Sequence, residues 1–131
     1  YDHNYLLKKQ PDGLCARAYS RSSGILLECR TSEPGMQLYT GNFLSTSNTV
    51  GKGGKSYADR AGFCLETQHY PNAMEHPEFP SVVLPAGKLY DTTTEYHISR
   101  CNQQAFFVKK IPKVRTKEAI SFFCLKPPIQ S

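Results

Sequence analysis

Three polar side chains stand where their neighbours make chemistry possible. Glu66 lies in the run Ala61-Gly62-Phe63-Cys64-Leu65-Glu66-Thr67-Gln68. An extended chain alternates its side chains, so Phe63 and Leu65 fall on one face and Cys64, Glu66 and Gln68 on the other. A carboxylate there is either solvated or lines a cleft. In a cleft, loss of water raises its pKa and suits it to general-base work. Asp2 opens Tyr1-Asp2-His3-Asn4-Tyr5. Asp and Asn in such a cluster either form a turn or cap on their own backbone or partner the adjacent hydroxyls of a carbohydrate or other polyol. Gln37, between Met36 and Leu38, is a third polar residue of the same kind. His69 follows in His69-Tyr70-Pro71 and is either a hydrogen-bonded loop histidine or an assistant to Glu66.

Other chemistries find little support. The five cysteines, at 15, 29, 64, 101 and 124, show no CxxC spacing, and an odd count does not read as a secreted disulfide framework. The four histidines form no HxxxH pair. No metal or other cofactor is expected, and reduced thiols in a cytoplasmic setting are the default. Gly51-Lys52-Gly53-Gly54-Lys55 has phosphate-loop composition but lacks the strand–GxxxxGK[ST]–helix context. No apolar run approaches the ~18 residues of a membrane span, and no basic-plus-apolar leader is visible.

The elements that must position these residues are strands. Runs at 16–20 and 25–31 flank the turn cluster Arg21-Ser22-Ser23-Gly24, which suits a hairpin. Residues 36–43 read as a strand entered through Pro34-Gly35, with Gly41 as a bulge. Residues 45–55 read as a flexible loop. Further strands are expected at 62–68, 82–84 and 90–98, the last rich in Thr and Tyr. No segment before residue 99 carries a sustained 3.6-residue apolar period. The class expected is all-β, best fitted by a sandwich. Larger sandwiches run to about 200–250 residues, so residues 1–99, with only some six strands, look incomplete.

At these motifs the sequence resembles a known family. Tyr1-Asp2-His3-Asn4-Tyr5, then Pro34-Gly35-Met36-Gln37-Leu38-Tyr39-Thr40-Gly41-Asn42-Phe43, then Gly62-Phe63-Cys64-Leu65-Glu66-Thr67-Gln68-His69-Tyr70-Pro71-Asn72-Ala73 are similar to aldose 1-epimerases (galactose mutarotases). Phe79-Pro80, Leu84-Pro85-Ala86-Gly87 and Tyr90-Asp91-Thr92-Thr93-Thr94 continue the resemblance in order. It covers residues 1–98 and implies the C-terminal portion of a large antiparallel β-sandwich with a sugar cleft. It implies interconversion of the α and β anomers of hexoses such as glucose and galactose. It also implies Glu66 as general base and Asp2 and Gln37 as ligands of the sugar. In the family the general acid is a histidine, and a second histidine and an arginine hold the sugar. All lie upstream of the Asp-His-Asn motif at which this chain begins. His3, His69, His76 and His97 do not occupy those motifs. Very low activity of the chain alone is therefore expected. A non-catalytic carbohydrate-binding module of the same fold is the alternative.

Charge separates the rest. Residues 1–99 hold nine Lys/Arg and ten Asp/Glu, whereas residues 100–131 hold seven and one, so the formal charge of +5 belongs to the last quarter. Residues 99–131 lack the family resemblance and read as an irregular basic tail, with apolar islands at 105–108 and 120–125. A like-charge block of this kind is ordinarily solvated. Contact with phosphates or anionic lipid is the weaker reading, because no nucleic-acid motif accompanies the charge.

Overall fold

The computed structural model describes residues 1–47 and 50–101. Of the irregular tail expected over 99–131, Ser99 and Arg100 belong instead to the last strand, where the central strand pairs with them, and residues 102–131, with both apolar islands, lie outside the described residues. The described chain is all-β, with six strands in two antiparallel three-stranded sheets and only short 3-10 turns besides. That is the make-up of a portion of an antiparallel β-sandwich. The chain forms two compact units, and each sheet belongs to one of them.

The first unit comprises residues 1–6 and 34–85. Its sheet holds β1 (Asp2–Leu6), β4 (Gly35–Tyr39) and β5 (Cys64–Gln68), with β4 in the middle. Burial alternates along residues 36–39 of β4 and 64–66 of β5. Met36, Leu38 and Leu65 are buried, while Gln37 is half-buried and Cys64 and Glu66 are exposed. The second unit runs from Leu7 to Glu33 and resumes at Ala86. It holds β2 (Leu14–Tyr19), β3 (Ile25–Thr31) and β6 (Thr94–Arg100), with β3 in the middle. Its core is Leu14, Cys15, Ala16, Ala18, Leu26 and Cys29.

The hairpin expected from Arg21-Ser22-Ser23-Gly24 is present as β2 and β3. Ser20 N–H donates to Ile25 O at 2.9 Å and Gly24 N–H to Ser20 O at 2.8 Å. Gly24 takes φ of 72°, which an L-side chain resists.

Four other expectations change. The Asp2 cluster is strand β1, not a turn or cap, because β4 offers it a full antiparallel register. The strand expected over 36–43 ends at Tyr39, and Gly41 (φ 65°) lies past its end, just before the turn at Asn42 and Phe43, rather than in a bulge. A Cβ on Gly41 would lie 2.8 Å from the main-chain oxygen of Gly62. Residues 82–84 form no strand; Val82, Val83 and Leu84 stand exposed between Pro80 and Pro85. The last strand starts at Thr94, not at Tyr90. Before it, Tyr90 and Thr92 donate through their hydroxyls to buried Glu33 at 2.9 and 2.6 Å, which takes their side chains away from a pleated ladder. The described part of the loop over 45–55 is tied as well. Gly51 N–H donates to Lys55 O at 2.8 Å, and Asp59 accepts from Ser45 N–H at 2.8 Å.

One face of the β2–β3–β6 sheet carries ionic partners. Arg17 Nε donates to Glu28 Oε1 at 2.6 Å, and Arg30 reaches Glu28 at 3.5 Å and Asp12 at 3.2 Å. Burial alone raises the Glu28 pKa, but the bond and charge of Arg17, with those of Arg30, more than offset it and hold the carboxyl below its ordinary 4.5. A group whose folded pKa is depressed stabilises the fold above its unfolded pKa and loses that contribution as pH falls through the folded value. Glu28→Gln is therefore expected to cost on the order of 1 kcal/mol at neutral pH, since solvent screens the partly exposed Arg17. Urea melts of the two proteins should converge as pH drops below 4.5. An equal gap at all pH values would exclude this role.

Candidate functional site

The β1–β4–β5 sheet brings Asp2, Gln37 and Glu66 to one face. Asn4 pairs with Gln37, and Gln37 with Glu66, so the three lie in a row across the strands. The neighbouring row is Asp2, Tyr39 and Cys64. Residues in direct register share a face, and i and i+2 share it too. The face therefore carries Asp2, Asn4, Gln37, Tyr39, Cys64, Glu66 and Gln68. Met36, Leu38 and Leu65 form the opposite, buried face.

Gln37 Nε2 donates to Asp2 Oδ1 at 2.6 Å. This charge-assisted bond leaves the second carboxylate oxygen of Asp2 and the amide oxygen of Gln37 as acceptors. Glu66 stands exposed beside Gln37, the solvated one of its two expected settings. A carboxylate base, a second carboxylate and an amide on one open face can hydrogen-bond several hydroxyls at once and take a proton from one of them.

Of the histidines, His3 is exposed and pairs in register with Leu38, which places it off the polar face. His69 lies just past the end of β5. His76 is engaged elsewhere, bonded to Glu78 at 3.1 Å and stacked on Phe79 with ring centroids 4.7 Å apart.

Asn4 and Gly35 also shape this face, and strand pairing was needed to bring them against Gln68, which alternation had already set beside Glu66. Gln68 Nε2 donates to Asn4 Oδ1 at 3.1 Å, joining the two outer strands across β4. Gly35 leaves the gap. A Cβ there would lie 2.9 Å from Asn4 Oδ1, 3.0 Å from Tyr70 Cδ1 and 3.1 Å from Gln68 O. The signal was present as alternation in Asp2-His3-Asn4, but only β4 turns that alternation into a surface. Gly35→Ala is expected to cost about 1–3 kcal/mol through overpacking and to break the Asn4–Gln68 bond. An unchanged urea midpoint would show that the gap has no such role.

Among the described residues, no group of three His, Cys, Asp or Glu side chains is placed to hold a metal ion, and no helix is long and apolar enough to cross a membrane.

Fold and site together describe an antiparallel β protein with acid–base and amide groups set on one open sheet face. The family model for aldose 1-epimerase matches residues 1–97. The chain belongs to the aldose 1-epimerase family. It is 46% identical over 100 residues to the galactose mutarotase of Homo sapiens and 44% identical to that of Rattus norvegicus, covering 76% of this chain and 29% of each relative. It is 37% identical to the aldose 1-epimerase of Escherichia coli, over 73% of this chain and 28% of that protein. The chain thus spans less than a third of the length of these relatives.

Proposed function

We propose that residues 1–98 carry the base side of an aldose 1-epimerase site for hexoses such as glucose and galactose. The observation that carries this reading is the adjacency of Asp2, Gln37 and Glu66 on one face of the β1–β4–β5 sheet. Asp2 and Gln37 hold ring hydroxyls. Glu66 takes the proton of the C1 hydroxyl while an acid protonates the ring oxygen. The C1–O5 bond breaks, the C1–C2 bond rotates, and the hydroxyl attacks the other face of the aldehyde. Proton transfer alone drives these steps, and each positioned group typically contributes ~10²–10⁴ in rate.

The family resemblance assigns the acid to a histidine in a motif upstream of Asp-His-Asn. Activity of residues 1–131 measured alone is accordingly expected to be low.

Polarimetry of fresh α-D-glucose or α-D-galactose, with the chain beside its Glu66→Gln variant, tests the reading. A small acceleration that vanishes in the variant is expected. Acceleration that survives the substitution would remove Glu66 as the base. If neither protein exceeds buffer, hexose titration followed by NMR decides the rest. Binding lost in Asp2→Ala would assign a carbohydrate-binding module, and no binding at all would overturn the sugar site in this chain.

A further inference from the structure

A feature of the second unit takes no part in sugar chemistry. The β2–β3 pairing slips between Leu14 and Ala16, so that Cys15 is an extra residue in β2 while Ala16 pairs with Cys29. A bulge of this kind re-aims a side chain. Leu14, Cys15 and Ala16 are consequently buried in succession, at 6%, 1% and 0% exposure, which plain alternation does not allow. The bulge turns Cys15 toward Cys29, itself 0% exposed. Cys15 Sγ donates to the main-chain oxygen of Cys29 at 3.2 Å.

We propose that Cys15 and Cys29 are an oxidation site for hydroperoxides, closing to an intrachain disulfide that staples the β2–β3 hairpin. The Cys15 sulfur already lies against the Cys29 main chain, with both side chains buried on adjacent strands, which favours the first requirement of a disulfide, that the two Cβ atoms approach without large backbone movement.

The two thiols differ in character. The neighbouring Cys29 side chain holds the Cys15 thiol below its ordinary value against the opposing effect of burial, and the positive charges of Lys9 and Arg30 act in the same direction. The same contact, burial and the charge on Cys15 push Cys29 up. Cys15 is thus the nucleophile and Cys29 the resolving thiol. The Cys15 thiolate attacks one peroxide oxygen. An S–O bond forms, the O–O bond breaks, and hydroxide leaves. Cys29 then gives up its proton, and its sulfur displaces hydroxide from the sulfenic acid as the S–S bond forms. In sum, two thiols and one hydrogen peroxide yield one disulfide and two waters. The sulfurs lose two electrons and the peroxide gains them.

Burial makes the site selective for a small oxidant. Hydrogen peroxide reaches the pair through brief opening of the hairpin, whereas a bulky alkylating reagent meets exposed Cys64 first.

The test treats the reduced 131-residue chain with hydrogen peroxide under native conditions, blocks remaining thiols and cleaves after Lys and Arg without reduction. Cleavage at Lys9, Arg17, Arg21 and Arg30 separates residues 10–17 from residues 22–30, so each thiol lies on its own peptide. The expected result is loss of two of the five thiols, with those peptides joined at a mass two hydrogens below their sum. Cys29→Ser should leave Cys15 as a sulfenic acid trapped by dimedone. Blocked or singly oxidised Cys15 and Cys29 in the unsubstituted chain, or a disulfide through Cys64 or Cys101 instead, would overturn the proposal even if the variant failed to fold.

Discussion

Glu66→Gln is expected to slow the protein-catalysed component of hexose mutarotation by about 10²–10⁴, which is the usual contribution of one positioned proton-transfer group. The amide keeps the shape of the carboxylate but cannot accept the C1 hydroxyl proton. Glu66 is exposed on β5, so its substitution leaves the buried Met36, Leu38 and Leu65 undisturbed. Stability should change by no more than about 0.5 kcal/mol. Asp2 and Gln37 keep their mutual bond of 2.6 Å. Hexose binding should therefore survive, and the loss should fall on kcat with KM nearly constant. On residues 1–131 the catalysed component is expected to be small. The full factor is expected in a longer chain that carries the upstream histidine motif as well. A variant that retains the full rate at unchanged KM would remove Glu66 from the mechanism.

Met36→Ala is expected to destabilise the protein by about 2–5 kcal/mol in urea titration. Met36 is the largest fully buried side chain, at 1% exposure, and sits in the middle strand of the sheet that carries the site. Truncation removes its transfer energy and leaves a cavity against Leu38 and Leu65. Because β4 pairs with both β1 and β5, loosening it parts Asp2 and Glu66 from Gln37. The chemical effect then follows the physical one. Hexose binding should weaken along with stability, although Met36 lies on the face opposite Asp2, Gln37 and Glu66. Met36→Leu conserves volume and is expected to cost less than about 1.5 kcal/mol. Equal stability in the Ala variant would mean that the apolar face is not the core of this unit.

Local chemistry made some elements legible before any pairing was known. The hairpin followed from Arg21-Ser22-Ser23-Gly24, because only a residue tolerant of positive φ closes that turn, and Gly24 has φ of 72°. The two faces of β5 followed from the period of 2, and Leu65 is buried while Glu66 is exposed, as alternation requires.

Where partners lie far away in the chain, local chemistry misled. Val82, Val83 and Leu84 have strand composition yet form no strand and stand exposed among the described residues. Asp2-His3-Asn4-Tyr5 has turn composition yet becomes β1, because residues more than thirty positions away complete its ladder. Tyr90 and Thr92 favour a strand but bond instead to the buried Glu33 carboxylate.

The site divides in the same way. Residue types and the family resemblance by themselves pointed to the groups proposed for the chemistry: a carboxylate at Glu66, and hydrogen-bonding partners for hydroxyls at Asp2 and Gln37. Only the tertiary structure decided that they stand together, that Gly35 opens a path for Asn4 to reach Gln68, and that a bulge turns Cys15 onto Cys29. The reason is that side-chain period is local, whereas register is a relation between strands. A shift of one residue between β1 and β4 would have sent Asp2 to the opposite face from Gln37.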